Sequence, residues 1–202
     1  MADLPFRLAD PDLRARLGAR VDREGKVVAA LAELGVTPGR DVIVLEADDG
    51  ALVGRLEALG ARVVGVPSLD VGNLPSDSAD VVVAAWTALE PASPDASGWI
   101  EGISRVARPG ARLLIVTDYG RDEAAAVLPA PAAGPEPYRR RDAAFLALGF
   151  KIRVLHCWWS FASLEEAGEM LRSAFGGAGA ALAAGLKRPR VGHKVAIYHR
   201  DL

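Results

Sequence analysis

Residues 38–66, PGRDVIVLEADDGALVGRLEALGARVVGV, change hydrophobic period twice within one stretch. Within DVIVLEA (41–47), Val42, Ile43, Val44 and Leu45 form a continuous, mostly β-branched apolar run that ends in an acid, as a strand buried on both faces would. Leu52, Val53, Leu56 and Leu59 then recur at helical spacing and stop at Gly60, and ARVVGV (61–66) returns to a short apolar run. That second run is too apolar to have a solvated face. Strand, helix and strand in this order predict a β-α-β unit with a buried parallel sheet. Upstream, Val27, Val28, Leu31 and Leu34 share one helical face that ends at Gly35, and Pro38 with Gly39 turns the chain into the first strand.

The same pattern extends to the end of the chain. DVVVAAW (80–86), RLLIVTDY (112–119), KIRVLHCWW (151–159) and KVAIYHR (194–200) read as strands. Trp99, Ile100, Ile103 and Val106 define one helix before Arg108-Pro109-Gly110, and Phe145 to Leu148 end another at Gly149. Ser163 with Glu166 forms a capping box that opens a third, carrying Leu164, Ala167, Leu171, Ala174 and Phe175. PAPAAGPEP (129–137) holds four prolines and reads as a loop, a candidate lid. FGGAGAALAAGL (175–186) reads as a compositional bias.

A chain of 202 residues fits a single domain, with a helical segment over 1–39 and an α/β core over 40–202. The net charge of −2 offers no excess positive charge for nucleic acid or an anionic membrane, which favours a small-molecule or protein partner. Residues 1–20 carry charges throughout and lack an apolar core, so no secretory signal is expected and the cytoplasm is the expected location. Cys157 is the sole cysteine and the histidines are scattered (156, 193, 199), so neither a disulfide nor a metal site is expected. Cys157 reads as a small buried strand residue.

The order of elements, with PGRDVIVLEADDG (38–50), LPSDSADVVVAAWTALE (74–90) and ISRVARPGARLLIVTDYGRDE (103–123), resembles the class I S-adenosylmethionine-dependent methyltransferase family. The resemblance runs from about residue 24 to the C-terminus and is most specific between Leu74 and Tyr119. It implies a Rossmann-like, mostly parallel sheet of seven strands with an antiparallel last strand. It also implies S-adenosylmethionine across the carboxyl ends of the first two strands, and methyl transfer to a nucleophile.

Three departures from the family pattern stand out. Its first motif, an acid followed by three alternating glycines, falls on Glu46 and then Asp48, Gly50 and Leu52, so one glycine of three remains. Those glycines give the loop positive φ and close approach to the cofactor. Pro67 stands where the family places an acid for the ribose hydroxyls. Residues 67–79 are too few for a strand with its crossover helix, so the third strand and that helix are expected to be missing.

Carried over by the resemblance, Glu46, Asp48, Gly50, Asp70 and Trp86 are the expected cofactor contacts, with Asp70 near the adenine amino group and Trp86 near the transferred methyl. Asp48 and Asp49 also suit the ordinary role of capping the following helix. For the substrate, TDYGRD (117–122) leaves a strand at its carboxyl end. Its Asp118 can accept a proton, Tyr119 bind a ring edge and Arg121 clamp an anion. In HCWWSF (156–161), His156 and Trp158 share one face with Ser160, and Cys157, Trp159 and Phe161 share the other; one face is core, and the other can wall an aromatic pocket. The basic runs YRRRD (138–142) and KRPR (187–190) read as solvated surface, and AAWT (84–87) departs from the Asn-Pro-Pro-aromatic motif of enzymes that methylate nucleic-acid amino groups.

The leading expectation is therefore a methyltransferase acting on a small molecule through a trimmed cofactor site. The alternative is a non-catalytic methyltransferase-like binding or scaffold module, which could be a homodimer. A nicotinamide-dependent oxidoreductase is weaker, because no G-x-G-x-x-G follows the first strand.

Overall fold

The computed structural model describes residues 4–47, 51–67, 69, 71–87, 89, 96–128 and 136–202. In chain order the elements are α1 (Pro11–Gly18), α2 (Lys26–Glu33), β1 (Asp41–Leu45), α3 (Ala51–Glu57), β2 (Arg62–Val66) and β3 (Ala79–Ala85). There follow α4 (Ala96–Val106), β4 (Ala107–Asp118), a short 3-10 turn (Ala124–Ala126), α5 (Glu136–Ala147), β5 (Lys151–Ser160), α6 (Leu164–Gly185) and β6 (Arg190–Asp201).

The strands form one six-stranded sheet in the order β2-β1-β3-β4-β6-β5. β1 runs parallel to β2 and β3, β3 parallel to β4, and β6 antiparallel to both β4 and β5. This is the expected mostly parallel sheet with an antiparallel last strand. One strand of the implied seven is absent among the described residues: between Val66 and Ala79 they contain neither strand nor helix.

That omission corrects the reading of ARVVGV. The run was expected to have no solvated face, yet Val64 is 55% exposed. β2 is an edge strand, so residues apolar enough for a sheet interior have no neighbour on their outer side.

Apolar side chains cover both faces of the sheet. Val42, Val44, Val83 and Ile197 pack with Leu31 and Leu56 on one face, and Ile43, Val82, Ile115 and Tyr198 pack with Ile103 and Phe145 on the other. A third cluster gathers Phe6 and Leu17 from the N-terminal segment, Trp159 from β5, and Met170 and Leu171 from α6. At the amino ends of the strands the charges pair among themselves. Arg62 and Arg108 lie 2.6 and 2.8 Å from Asp41, and Arg108 lies 3.0 Å from Asp80. The hydrogen bond from Arg62, then that from Arg108, holds the Asp41 carboxyl down at about 2.

Two helix starts show how the N-terminal segment is fixed. The Asp22 carboxylate accepts from the backbone N–H groups of Lys26 and Val27 at 3.0 and 2.9 Å, capping α2 from outside the helix. Ser163 caps α6 by accepting from Glu166 N–H at 3.1 Å, as the capping box predicts. Glu166 also takes Arg20 at 2.6 Å, tying the chain after α1 to α6.

α6 is not one straight helix. Gly176, at φ 57° and ψ −130°, breaks it inside FGGAGAALAAGL. A Cβ on Gly179 would stand 1.9 Å from the Leu171 carbonyl oxygen. Glycine there is required by a close backbone approach, so the bias of this stretch has a structural cause that composition did not reveal. No helix among the described residues is long and apolar enough to cross a membrane.

Candidate functional site

Parallel sheets of this kind bind ligands at the carboxyl ends of their strands, where the order of connection reverses. Here that rim lies where β1, β3 and β4 end. Glu46 follows β1 and Trp86 follows β3, both in the left-handed region at φ 52° and 49°. For side chains other than glycine such backbone is costly and concentrates at sites the surrounding structure holds in place. Trp86 is held on both sides: its backbone N–H donates to the Val116 carbonyl at 2.7 Å, and its indole Nε1–H donates to Asp118 Oδ1 at 2.9 Å.

Two cavities open on this rim. The first, of about 480 Å³, is bounded by Val21, Asp22, Val27, Ala51, Leu52 and Trp86, with Arg23 and Arg55 at its edge. The second, of about 550 Å³, is bounded by Phe6, Trp86, Thr117, Asp118, Val127 and Phe175. Leu4 and Trp86 line both, so the cavities meet at these two side chains.

Asp118 sits at the end of a chain of hydrogen bonds. His193 Nε2 lies 2.9 Å from the same Oδ1 that Trp86 reaches, and His193 Nδ1 lies 3.2 Å from Trp159 Nε1. An indole N–H can only donate, so Nδ1 accepts, and Nε2 carries the proton that is donated to Asp118. Asp118 Oδ1 thus receives two N–H groups. Arg141 of α5 adds a brace, donating to the Asp118 carbonyl at 2.6 Å and to Thr117 Oγ1 at 3.3 Å.

The other candidates distribute as follows. Asp118 and Trp86, proposed separately from the sequence, are joined by a direct hydrogen bond. Tyr119 and Arg121 line neither cavity; the Arg121 guanidinium lies over the Tyr119 ring at 5.3 Å. His156 is exposed and offers its carbonyl to Lys26 Nζ at 2.8 Å, while Trp158 lies under the Arg190 guanidinium at 4.1 Å. The face of HCWWSF carrying His156 and Trp158 therefore lines neither cavity, and the face carrying Cys157, Trp159 and Phe161 is core. Glu46 is half-buried and lines neither cavity, whereas Leu52, in the third glycine position, is buried in the first cavity's wall. Asp48, Gly50 and Asp70, like residues 129–135 of the proline-rich loop, lie outside the described residues.

Sequence reasoning placed Trp159 only on one face of HCWWSF, and assigned no role to His193 or to the segment Leu4–Leu8. His193 lies one residue before the strand read as 194–200, and in that period-two run it shares a face with Val195 and Ile197. Extending the strand by one residue would have flagged it as a polar group on a buried face. Leu4–Leu8 has no periodicity to read.

Cys157 is buried, as its strand position implied. Burial, then the neighbouring Asp22, pushes its thiol up to about 12. The sign favours the neutral, unreactive thiol. Native protein should therefore react with iodoacetamide at about pH 8 more than roughly a hundredfold more slowly than protein unfolded in urea. Equal rates would show that the thiol is open to solvent.

No protein-family model matches the sequence, and neither does any curated protein. Solved structures do match. A SAM-dependent methyltransferase from Archaeoglobus fulgidus aligns over 96% of this chain and 100% of its own, with 14% identity and a TM-score of 0.54. One from Geobacter sulfurreducens, solved with S-adenosyl-L-homocysteine, aligns over 95% and 99%, with 17% identity and a TM-score of 0.51. The chain thus has the Rossmann-like fold of the class I SAM-dependent methyltransferases, with six strands among the described residues.

Proposed function

We propose that the protein is a methyltransferase that takes S-adenosylmethionine in the first cavity and a small molecule in the second. The observation that carries the reading is the meeting of two cavities at Trp86, on the rim where this fold places its ligands. Arg23 suits the carboxylate of the cofactor's amino-acid end, Arg55 stands beside it paired with Asp22 Oδ2 at 3.7 Å, and Val27, Leu52 and Trp86 supply apolar wall. Asp22 is already committed to two backbone N–H groups of α2. Pro67 offers no side-chain acceptor to the ribose, so recognition leans on the amino-acid end. When bound, the cofactor supplies an electrophilic methyl group. What the chain contributes is alignment, since holding a nucleophile in line can provide most of the acceleration such a reaction needs.

Calorimetric titration with S-adenosylhomocysteine tests this. Binding should release or absorb measurable heat, and ligand at a hundred times its Kd should stabilise the fold by about 2.7 kcal/mol. Arg23→Ala, a change on the exposed rim, should weaken binding about tenfold through loss of a charged hydrogen bond. Neither heat nor thermal stabilisation at millimolar ligand would overturn the proposal and leave the non-catalytic module.

A further inference from the structure

We propose that the second cavity selects an organic cation: a protonated amine with an apolar or aromatic substituent, held by Asp118. The claim deepens the methyltransferase reading by giving the acceptor its class, and its binding test stands independently of cofactor binding.

Asp118 has one carboxylate oxygen left to offer a ligand. Its Oδ1 is saturated by Trp86 Nε1–H and His193 Nε2–H, and among the described residues Oδ2 accepts no hydrogen bond. The side chain is 17% exposed and forms part of the cavity wall. A carboxylate locked through one oxygen presents the other in a fixed direction, with little rotamer entropy left to lose on binding a ligand.

The surrounding wall fits a cation better than a neutral donor. Three aromatic side chains, Phe6, Trp86 and Phe175, line the cavity with the carboxylate, and aromatic faces attract ammonium groups most strongly where water is excluded. The remainder of the wall is mainly apolar, including Leu4, Leu8 and Val127. A carboxylate and aromatic rings in one apolar enclosure disfavour an anion and reward a cation with a hydrophobic body.

Two basic groups lie nearby. Arg141 is engaged with the Asp118 carbonyl and Thr117. Arg7 lines the cavity but is exposed, so solvent and salt screen its repulsion. Thr87 completes the polar lining. An ammonium on Asp118 Oδ2 would place its nitrogen beside Trp86, the wall shared with the first cavity. To accept a methyl group there it must first pass one proton to Asp118 Oδ2, so that the lone pair of the neutral amine forms the new N–C bond as the methyl leaves the sulfonium sulfur.

The probes are benzylamine, benzyl alcohol and benzoate, which share a shape and differ in charge, titrated into the full chain by calorimetry or ligand-observed NMR. Benzylamine should bind about tenfold more tightly than benzyl alcohol, and benzoate should not bind. Asp118→Asn should erase that preference for the amine over the alcohol. Because Asp118 also receives two N–H groups, this variant can disturb the fold, so near-UV circular dichroism accompanies it. Arg7→Glu, on the exposed mouth, gives a second reading: about threefold tighter benzylamine with benzyl alcohol unaffected, the size expected when one solvent-screened charge is reversed, a change of two units.

The amine proposal is overturned if benzylamine binds no better than the alcohol, if folded Asp118→Asn keeps the preference, or if Arg7→Glu shifts both ligands alike. Amine binding without S-adenosylhomocysteine binding would defeat only the methyltransferase reading, and the converse would defeat only this one.

Discussion

Gly179→Ala should destabilise the protein by about 3 kcal/mol, at the upper end of what overpacking costs. In a chain of this length that corresponds to a fall in Tm of roughly 6–12 °C. Three facts fix the expectation. Gly176 adopts φ 57° and ψ −130°, which interrupts α6 and turns its second half back toward the first. Gly179 is buried at that contact, and an added Cβ would stand 1.9 Å from the Leu171 carbonyl oxygen and 2.5 Å from its carbon. Both are backbone atoms, so no rotamer change relieves the clash. The control is Gly177→Ala two residues earlier, where a Cβ meets nothing within 4 Å. There the gain in helix propensity should stabilise the protein by about 0.5–1 kcal/mol. Urea melts of both variants check the pair, and two changes of equal size would show that the second half of α6 does not pack against Leu171. The effect reaches the site, because Phe175, just before the break, is part of the second cavity's wall.

The strands were legible in the sequence because burial on both faces favours short apolar runs, and Val42–Leu45 in β1, Val81–Ala85 in β3 and Leu113–Val116 in β4 supply them. The absence of a third strand among the described residues was also legible, since residues 67–79 are too few for a strand and a crossover helix. What the sequence could not convey was the consequence for β2, whose apolar composition suggests an interior strand and whose position makes it an edge. Within the site, Trp86 was placed by resemblance and Asp118 by its position at the end of a strand. The groups that orient Asp118 were not legible, because they depend on antiparallel register. Trp159 pairs with Val191, which puts His193 two residues along the neighbouring strand and on the same face. Only the folded sheet brings that diagonal together. The capping of α2 by Asp22 escaped for a related reason: the acid lies well before the helix, where no spacing rule looks for it.

Trp159→Ala should cost about 3–5 kcal/mol, the range for deleting a large aromatic ring from a core. The indole is fully buried, meets Phe6 edge-on at 5.6 Å and stacks with Phe175 at 6.0 Å. That number alone would not separate packing from hydrogen bonding, so Trp159→Phe is the informative partner. It retains an aromatic ring between Phe6 and Phe175 but removes the N–H that His193 Nδ1 accepts. His193 is 1% exposed, and leaving its nitrogen without a donor should cost about 1–3 kcal/mol, clearly less than the alanine change. The second readout is the imidazole itself. Long-range proton–nitrogen NMR spectra should show the Nε2–H tautomer both in the native protein and in Trp159→Phe, because the Asp118 carboxylate still accepts from Nε2–H when the indole is gone. A native Nδ1–H tautomer would remove one of the two donors assigned to Asp118 Oδ1, and with it the argument that Oδ2 is aimed into the second cavity. Equal stability of Trp159→Phe and the native chain would likewise mean that the indole contributes only its ring.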